Sequence, residues 1–476
     1  MGLWAGWILG LAGCAAGWPL PVTAPRVMRV DARGLPGGDG GPDRPFQTLV
    51  EAVAAAGQGD VEIRVASGEY PGGFPLRPGM RVVGGGAVLV HDAAACVVRA
   101  AGGLLENVMV QGGEVGVCAE GPVLLRSVVL SGQRRAAVQV APGAVLDAEG
   151  LQVEATLPDI TGVELQPGGR ARLSEARFDG PFQKAVSSRQ AELAVSRSAF
   201  HDARTAVHAV GGKVVLDQLY AGGGRGPAVY VGQARAELSG LRTDGHEFGL
   251  LVGTGSHVTV RGLDSRGAER AGVGFDQSEG ELEDVSVLNA GNLGALQLTG
   301  SRVKVTRAEL KGAVYAGIQV LGGEVALRGI RIHHVTRESE GDGDGLVVHR
   351  ARVTLDDVRV EGAEGGGLVV GSGAKVEAGA LEARFVQHGA VFAGAGASVR
   401  IRSIKASGVG DVVLAATEGA RVSVQSLEAE DVTQTAYAEC ASSSRICVAR
   451  GPGVGKAEAP SACVELGTSD HPVACR

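Results

Sequence analysis

Four carboxylates occupy alternate positions in one short stretch: Glu338, Glu340, Asp342 and Asp344, with Ser339, Gly341 and Gly343 between them. An extended chain turns such residues to one side. Hard cations such as Ca2+ collect six to eight oxygen ligands, and glycine carbonyls can join the set. No cofactor is expected from the sequence, and Ca2+ is the one this stretch could take. Its spacing fits no EF-hand and the nonapeptide calcium repeat is absent, so a solvated acidic loop is the competing reading. Cysteine supplies the second chemistry, with seven in the chain. Cys440, Cys447, Cys463 and Cys475 crowd the C-terminus at spacings that match no zinc site, which favours disulfides in an oxidising compartment. Three pairings of these four are open. Cys96 and Cys118 stand 22 residues apart and form a further candidate pair.

The elements that must position these residues follow from a repeat. Of 476 residues 77 are glycine, aromatics are 4% and the net charge is -7, which leaves no electrostatic footprint for nucleic acid. From about residue 94 a small residue followed by an apolar-x-apolar strand recurs, as in Gly116-Val-Cys-Ala, Ala228-Val-Tyr-Val, Gly317-Ile-Gln-Val and Gly367-Leu-Val-Val. The step is 21 to 25 residues, except for 28 between Gly317 and Gly345, where the acidic stretch lies. Two further short strands, joined by a two-residue polar turn, sit about eleven residues earlier in each unit, as in Val353-Thr-Leu-Asp-Asp-Val-Arg-Val. Alternation with period two excludes an amphipathic helix, and no unit has a core of its own. Stacked units do. Leucine-rich repeats share the period but need a Leu/Asn signature that is missing here. The expectation is an all-β, right-handed parallel β-helix of about sixteen coils, a rod on the order of 75 Å long.

The segment before the repeats carries a resemblance. Gly38-Asp-Gly-Gly-Pro-Asp-Arg-Pro-Phe-Gln-Thr-Leu-Val-Glu-Ala-Val runs into Val65-Ala-Ser-Gly-Glu-Tyr70. It is similar to the opening module of pectate-lyase-like β-helix proteins, in which such a stretch forms a capping helix and the first coil. Phe46, Leu49, Val50, Val53 and Ala54 would line one helix face, with Asp43 and Pro45 at its start and Gly57 at its end. Such a helix covers the open edge of the first coil. Many members of that superfamily cut acidic polysaccharides, and polygalacturonases carry paired Asp, His-Gly and a basic pair. Asp356-Asp357, His388-Gly389 and Arg402 with Lys405 imitate that order. The repeat register separates them: Asp356 and Arg402 fall in the two-residue turn, His388 about half a coil away. Arg126, Arg261, Arg307, Arg328 and Arg402 share that turn column with Glu106, Glu283 and Asp356, which reads as inter-coil pairing rather than catalysis. No catalytic residue is assigned.

At the N-terminus a ten-residue apolar run ends in Leu11-Ala12-Gly13-Cys14. This resembles the lipobox of bacterial lipoproteins, which implies acylation of Cys14, a membrane partner and, with Ala15 following, the outer membrane. An ordinary cleaved signal peptide is the alternative. The organisation expected is a signal peptide over 1–13, a linker over 14–30, a cap and first coils over 31–93, repeats over 94–435 and a Cys-rich tail over 436–476. The functional expectation is a lipid-anchored envelope protein with a binding or scaffold role, its partner a glycan or an envelope protein. A carbohydrate-active enzyme on acidic glycans is the runner-up, and an adhesin-like passenger the third reading.

Overall fold

Three short apolar runs per 22 residues can bury their inward side chains only against the same runs one coil away. The computed structural model describes residues 25–93, 95–338, 343–432, 438–441, 443–451 and 463–468, and it is an all-β parallel solenoid of about sixteen turns. Each strand pairs in parallel with its equivalent in the next coil, as Ala236–Leu238 does with Val258–Val260, and these in turn with Gly280–Leu282. Inward positions form one continuous core of Val, Leu, Ile and Ala, with Phe178, Phe182 and Phe200 buried together in adjacent coils.

Three strands per coil need three corners, and each corner is made by a left-handed residue repeated down the rod. Between the first and second faces these residues include Arg197, Gln218, Gly240, Gly262, Asp284 and Arg307; between the second and third, Asp202, Gly223, Gly245, Gly267 and Asn289. The third corner, leading back to the first face, has Gln190, Gly211, Gln233, Gly255 and Gln277. A left-handed backbone favours Gly, Asn and Asp, which accounts for much of the glycine excess. The small residue of the repeat serves a different end, close packing. A Cβ at Gly345 would lie 2.4 Å from Val360 and 2.6 Å from the Gly367 carbonyl oxygen, and one at Gly317 would lie 2.4 Å from Ile332.

The one helix among the described residues, Leu49–Ala56, starts at Thr48, whose hydroxyl accepts from the Glu51 N–H while Glu51 accepts from the Thr48 N–H. That cap sets the helix phase, so Leu49, Ala52 and Val53 are buried while Val50 and Ala54 face solvent, unlike the face expected. Phe46 precedes the helix and is held by a bridge to Val30. Two boundaries also move. Arg26–Val30 pairs in parallel with Val61–Val65, so the expected linker ends in solenoid. Beyond residue 435 the strands Ala438–Cys440, Arg445–Gly451 and Val464–Thr468 continue the stack. The tail is more rod, stapled by a Cys440–Cys463 disulfide.

Candidate functional site

The first face runs from the third corner to the two-residue turn and carries a column of residues, one per coil, that are ionisable at every position but Ser398. In order they are Arg170, Glu192, Lys213, Arg235, His257, Glu279, Arg302, Glu324, Arg352, Lys375, Ser398, Arg421 and Arg445. Neighbouring rungs lie about 4.8 Å apart, so sign along the column matters. Part of it alternates and closes on itself: Arg170 meets Glu192 at 3.3 Å, and Arg302 meets Glu279 at 2.6 Å and Glu324 at 3.9 Å.

Three places break the alternation, always with two cations. Lys213 faces Arg235, Arg352 faces Lys375, and Arg421 faces Arg445. Among the described residues none of these six has an acidic partner within 4.0 Å. Arg350, at the adjacent corner, and Arg400, one step along the same face, are exposed and equally unpaired. Beside this column three adjoining depressions of about 600, 330 and 910 Å³ share lining residues and form an open groove. Its walls include Gln233, Arg235, Gln277, Arg302, Arg352 and Lys375. Glu279, Glu281 and Glu324 also line it, with Glu279 and Glu324 held by Arg302, so the chemistry on offer is attraction of negative charge at the unpaired cations toward either end, with amide donors between.

Much of the turn column pairs its charges, as expected from sequence, although Arg402 and Glu106 have no ion pair within 4.0 Å among the described residues. Arg328 meets Asp356 at 3.4 Å and Arg261 meets Glu283 at 3.8 Å. Arg307 bonds Asp284 at 2.7 Å and Glu283 at 2.5 Å, which holds its guanidinium above the ordinary arginine range and the Asp284 carboxyl below the usual one. Asp357 is taken by Arg331 at 3.0 Å, and Lys405 by Glu428 at 3.1 Å. His388 is elsewhere, on the loop strip between second and third faces. Its Nδ1 lies 3.1 Å from Asp411, and its Nε2 contacts the Arg337 guanidinium. Arginine can only donate, so Nε2 accepts and Nδ1–H donates to Asp411. The structure thus keeps His388 apart from Asp356 and Arg402, which share the turn column two coils from each other.

Of the acidic stretch, Glu338 is exposed, while Glu340 and Asp342 lie outside the described residues. Asp344 is buried and accepts the Gly366 N–H at 2.6 Å, holding the insertion to the following coil. Among the described residues no group of three His, Cys, Asp or Glu side chains is arranged to hold a metal ion. Cys96 and Cys118 are joined by a disulfide with Cα atoms 6.0 Å apart, but not on stacked positions. Cys96 lies opposite Val115 and Cys118 opposite Arg99, because this coil is shorter than 22 residues and the bridge runs diagonally. Cys447 is also disulfide-bonded; Cys14 and Cys475 lie outside the described residues.

These coils and corners define a parallel β-solenoid with a charged, grooved face. No protein-family model matches the chain, and no curated protein does. Solved structures similar to it include tailspike protein 3 of bacteriophage CBA120, at 10% identity and a TM-score of 0.38, covering 88% of this chain and 61% of the tailspike. The chain therefore spans about three-fifths of that protein's length. The catalytic unit of a thermostable GH87 alpha-1,3-glucanase from Streptomyces thermodiastaticus is similar at 12% identity and a TM-score of 0.23, with 90% and 70% covered. A rhamnogalacturonan lyase is similar at 13% identity and a TM-score of 0.17, with 69% and 82% covered. At such identities the likeness concerns the fold alone.

Proposed function

We propose that this chain is a non-catalytic β-solenoid rod, tethered to the cell envelope through an acylated Cys14, that binds an acidic polysaccharide lengthwise along its first face. The observation that carries the reading is the set of three cation–cation rungs in one column. Like charges on neighbouring strands are destabilising, and the other six ionisable members of this column each have an ion-pair partner. A column that keeps six unpaired cations on a chain of net charge -7 is complementary to a linear polyanion. Aromatic rings do not line the groove, which suits electrostatic holding better than stacking and processive movement.

Purified mature protein is expected to bind polygalacturonate or alginate and not neutral glucan, with affinity falling as salt screens the contacts. The double variant Arg352→Glu/Lys375→Glu should weaken that binding by about tenfold or more at low salt, the equivalent of losing about 1.4 kcal/mol. Equal binding by the variant would refute the groove. Release of oligosaccharides from any polyuronate would refute the non-catalytic part. In fractionation, Cys14→Ser should move the protein from the membrane to the soluble envelope fraction, and an unchanged distribution would remove the anchor from the proposal.

A second reading, a carbohydrate-active enzyme, is favoured by the His388–Asp411 pair. An imidazole oriented by a carboxylate is half of a general base, and His388 would complete it only once Arg337 releases the Nε2 lone pair it now holds. Under this reading oligosaccharide release is detectable, and His388→Ala abolishes it.

A further inference from the structure

On the third face the outward column is nearly chargeless. From Leu251 through Gly274, Gln297, Gln319, Val347, Val369 and Phe392 to Ala415 it holds no ionisable side chain. Toward the N-terminal end the same column changes character, as Ser187, His208 and Tyr230 follow one another on successive rungs. The His208 and Tyr230 rings stack with centroids 4.9 Å apart and planes 22° from parallel. Lys184 precedes Ser187 on the same strand and is half-buried; Arg189 follows it.

Basic nitrogens crowd this spot without a free counter-charge. Lys184 and Arg189 have no ion pair within 4.0 Å among the described residues. The nearest acid, Glu164, is already bonded by Arg135 at 2.9 Å and Gln139 at 3.2 Å. His208 Nδ1 is buried with no hydrogen-bond partner. Burial, and then the charge of Arg189, lower the Lys184 ammonium below its ordinary range; burial and Lys184 push His208 down to about 4. We propose that Lys184, Ser187, Arg189 and His208 form a binding site for one oxyanion group of a ligand, a carboxylate, sulfate ester or phosphate ester. Such a group would offset the charges of Lys184 and Arg189, give the buried imidazole nitrogen a partner and accept from the Ser187 hydroxyl. This site is on a different face from the groove and stands independently of the polysaccharide reading.

The test is an NMR pH titration of the His208 imidazole in the full chain, alone and with inorganic phosphate, inorganic sulfate or galacturonate. A ligand that prefers the protonated site must raise its midpoint. The expected rise at saturation is about one unit, a tenfold preference. Lys184→Met should erase the rise and Lys184→Arg keep it, with thermal melting confirming that both variants fold. The anion acting at the lowest concentration identifies the chemical source. No rise with any of the three, or an undiminished rise in Lys184→Met, overturns the site. Arg352→Glu/Lys375→Glu should leave the rise unchanged, so failure of the groove and failure of this site are read separately.

Discussion

Phe178→Ala should cost about 3–5 kcal/mol in urea unfolding, the range for removing a fully buried aromatic ring. Phe178 stacks on Phe200 with centroids 5.1 Å apart and meets Phe182 edge-on at 5.9 Å, and all three are buried. Gly162 lies so close that a Cβ there would come within 2.7 Å of the Phe178 ring, so the coil is already shaped around it. In a solenoid each coil contacts only its neighbours, and the loss should therefore be local. Hydrogen exchange should rise first in the coils around 151–222. Phe385 is the internal control. It is 63% exposed and holds a left-handed φ of 51°, a conformation that is strained for a bulky side chain. Phe385→Gly is expected to leave stability unchanged or raise it by up to about 1 kcal/mol. A Phe178→Ala cost below about 1 kcal/mol would contradict the packing described here.

The coil was legible because its cause is periodic. One small residue every 22 or so positions, and two alternating strands before it, are what a stacked core requires. Gly317 and Gly345 show that crowding is the reason the position stays small, although it lies inside a strand and the corners fall on left-handed residues elsewhere. The inter-coil pairing of the turn column was legible for the same reason: once the period is known, residues a period apart are neighbours. Reading stopped short where local chemistry overrides the period. The helix face was misjudged because Thr48 and Glu51, not Asp43 and Pro45, make the cap and fix the phase. The Cys96–Cys118 pair was legible from its spacing, but its diagonal run was not, because the coil holding it is short.

The cationic first face was in principle readable. Lys213 and Arg235, Arg352 and Lys375, and Arg421 and Arg445 are each about one period apart. The turn column drew attention instead, since motifs of known enzymes happened to fall there. What distinguishes the two columns is pairing, and pairing depends on side-chain reach as well as register. Arg307 finds two acids, whereas Arg352 finds none. Arg189, Lys184 and His208 show the opposite limit: their mutual influence arises from positions that no single column reveals.

Acid should destabilise this protein in two separable stages. His208 is held down to about 4 by burial and then by Lys184, and His246 is lowered by burial, its Nδ1 lying 3.1 Å from the Gly226 carbonyl oxygen. Both rings are neutral in the folded chain and titrate near 6.5 when unfolded. Above that pH neither state binds the proton and stability is flat. As pH falls below 6.5 the unfolded chain gains protons that the folded chain refuses, so stability declines until about pH 4, where folded His208 titrates as well. A half-buried ring is partly screened, which puts the His208 share at about 1–2 kcal/mol. The carboxyls of Asp31 and Asp284 are lowered by their arginine partners and by the Arg33 backbone, so their stabilising effect is lost only at lower pH. Urea midpoints measured from pH 8 to pH 3 should therefore bend near 6.5, and His208→Gln should shrink the upper limb, leaving the His246 share and the lower limb in place. Equal midpoints at pH 7 and pH 4.5 in the parent protein would show that these imidazoles are not held neutral by burial.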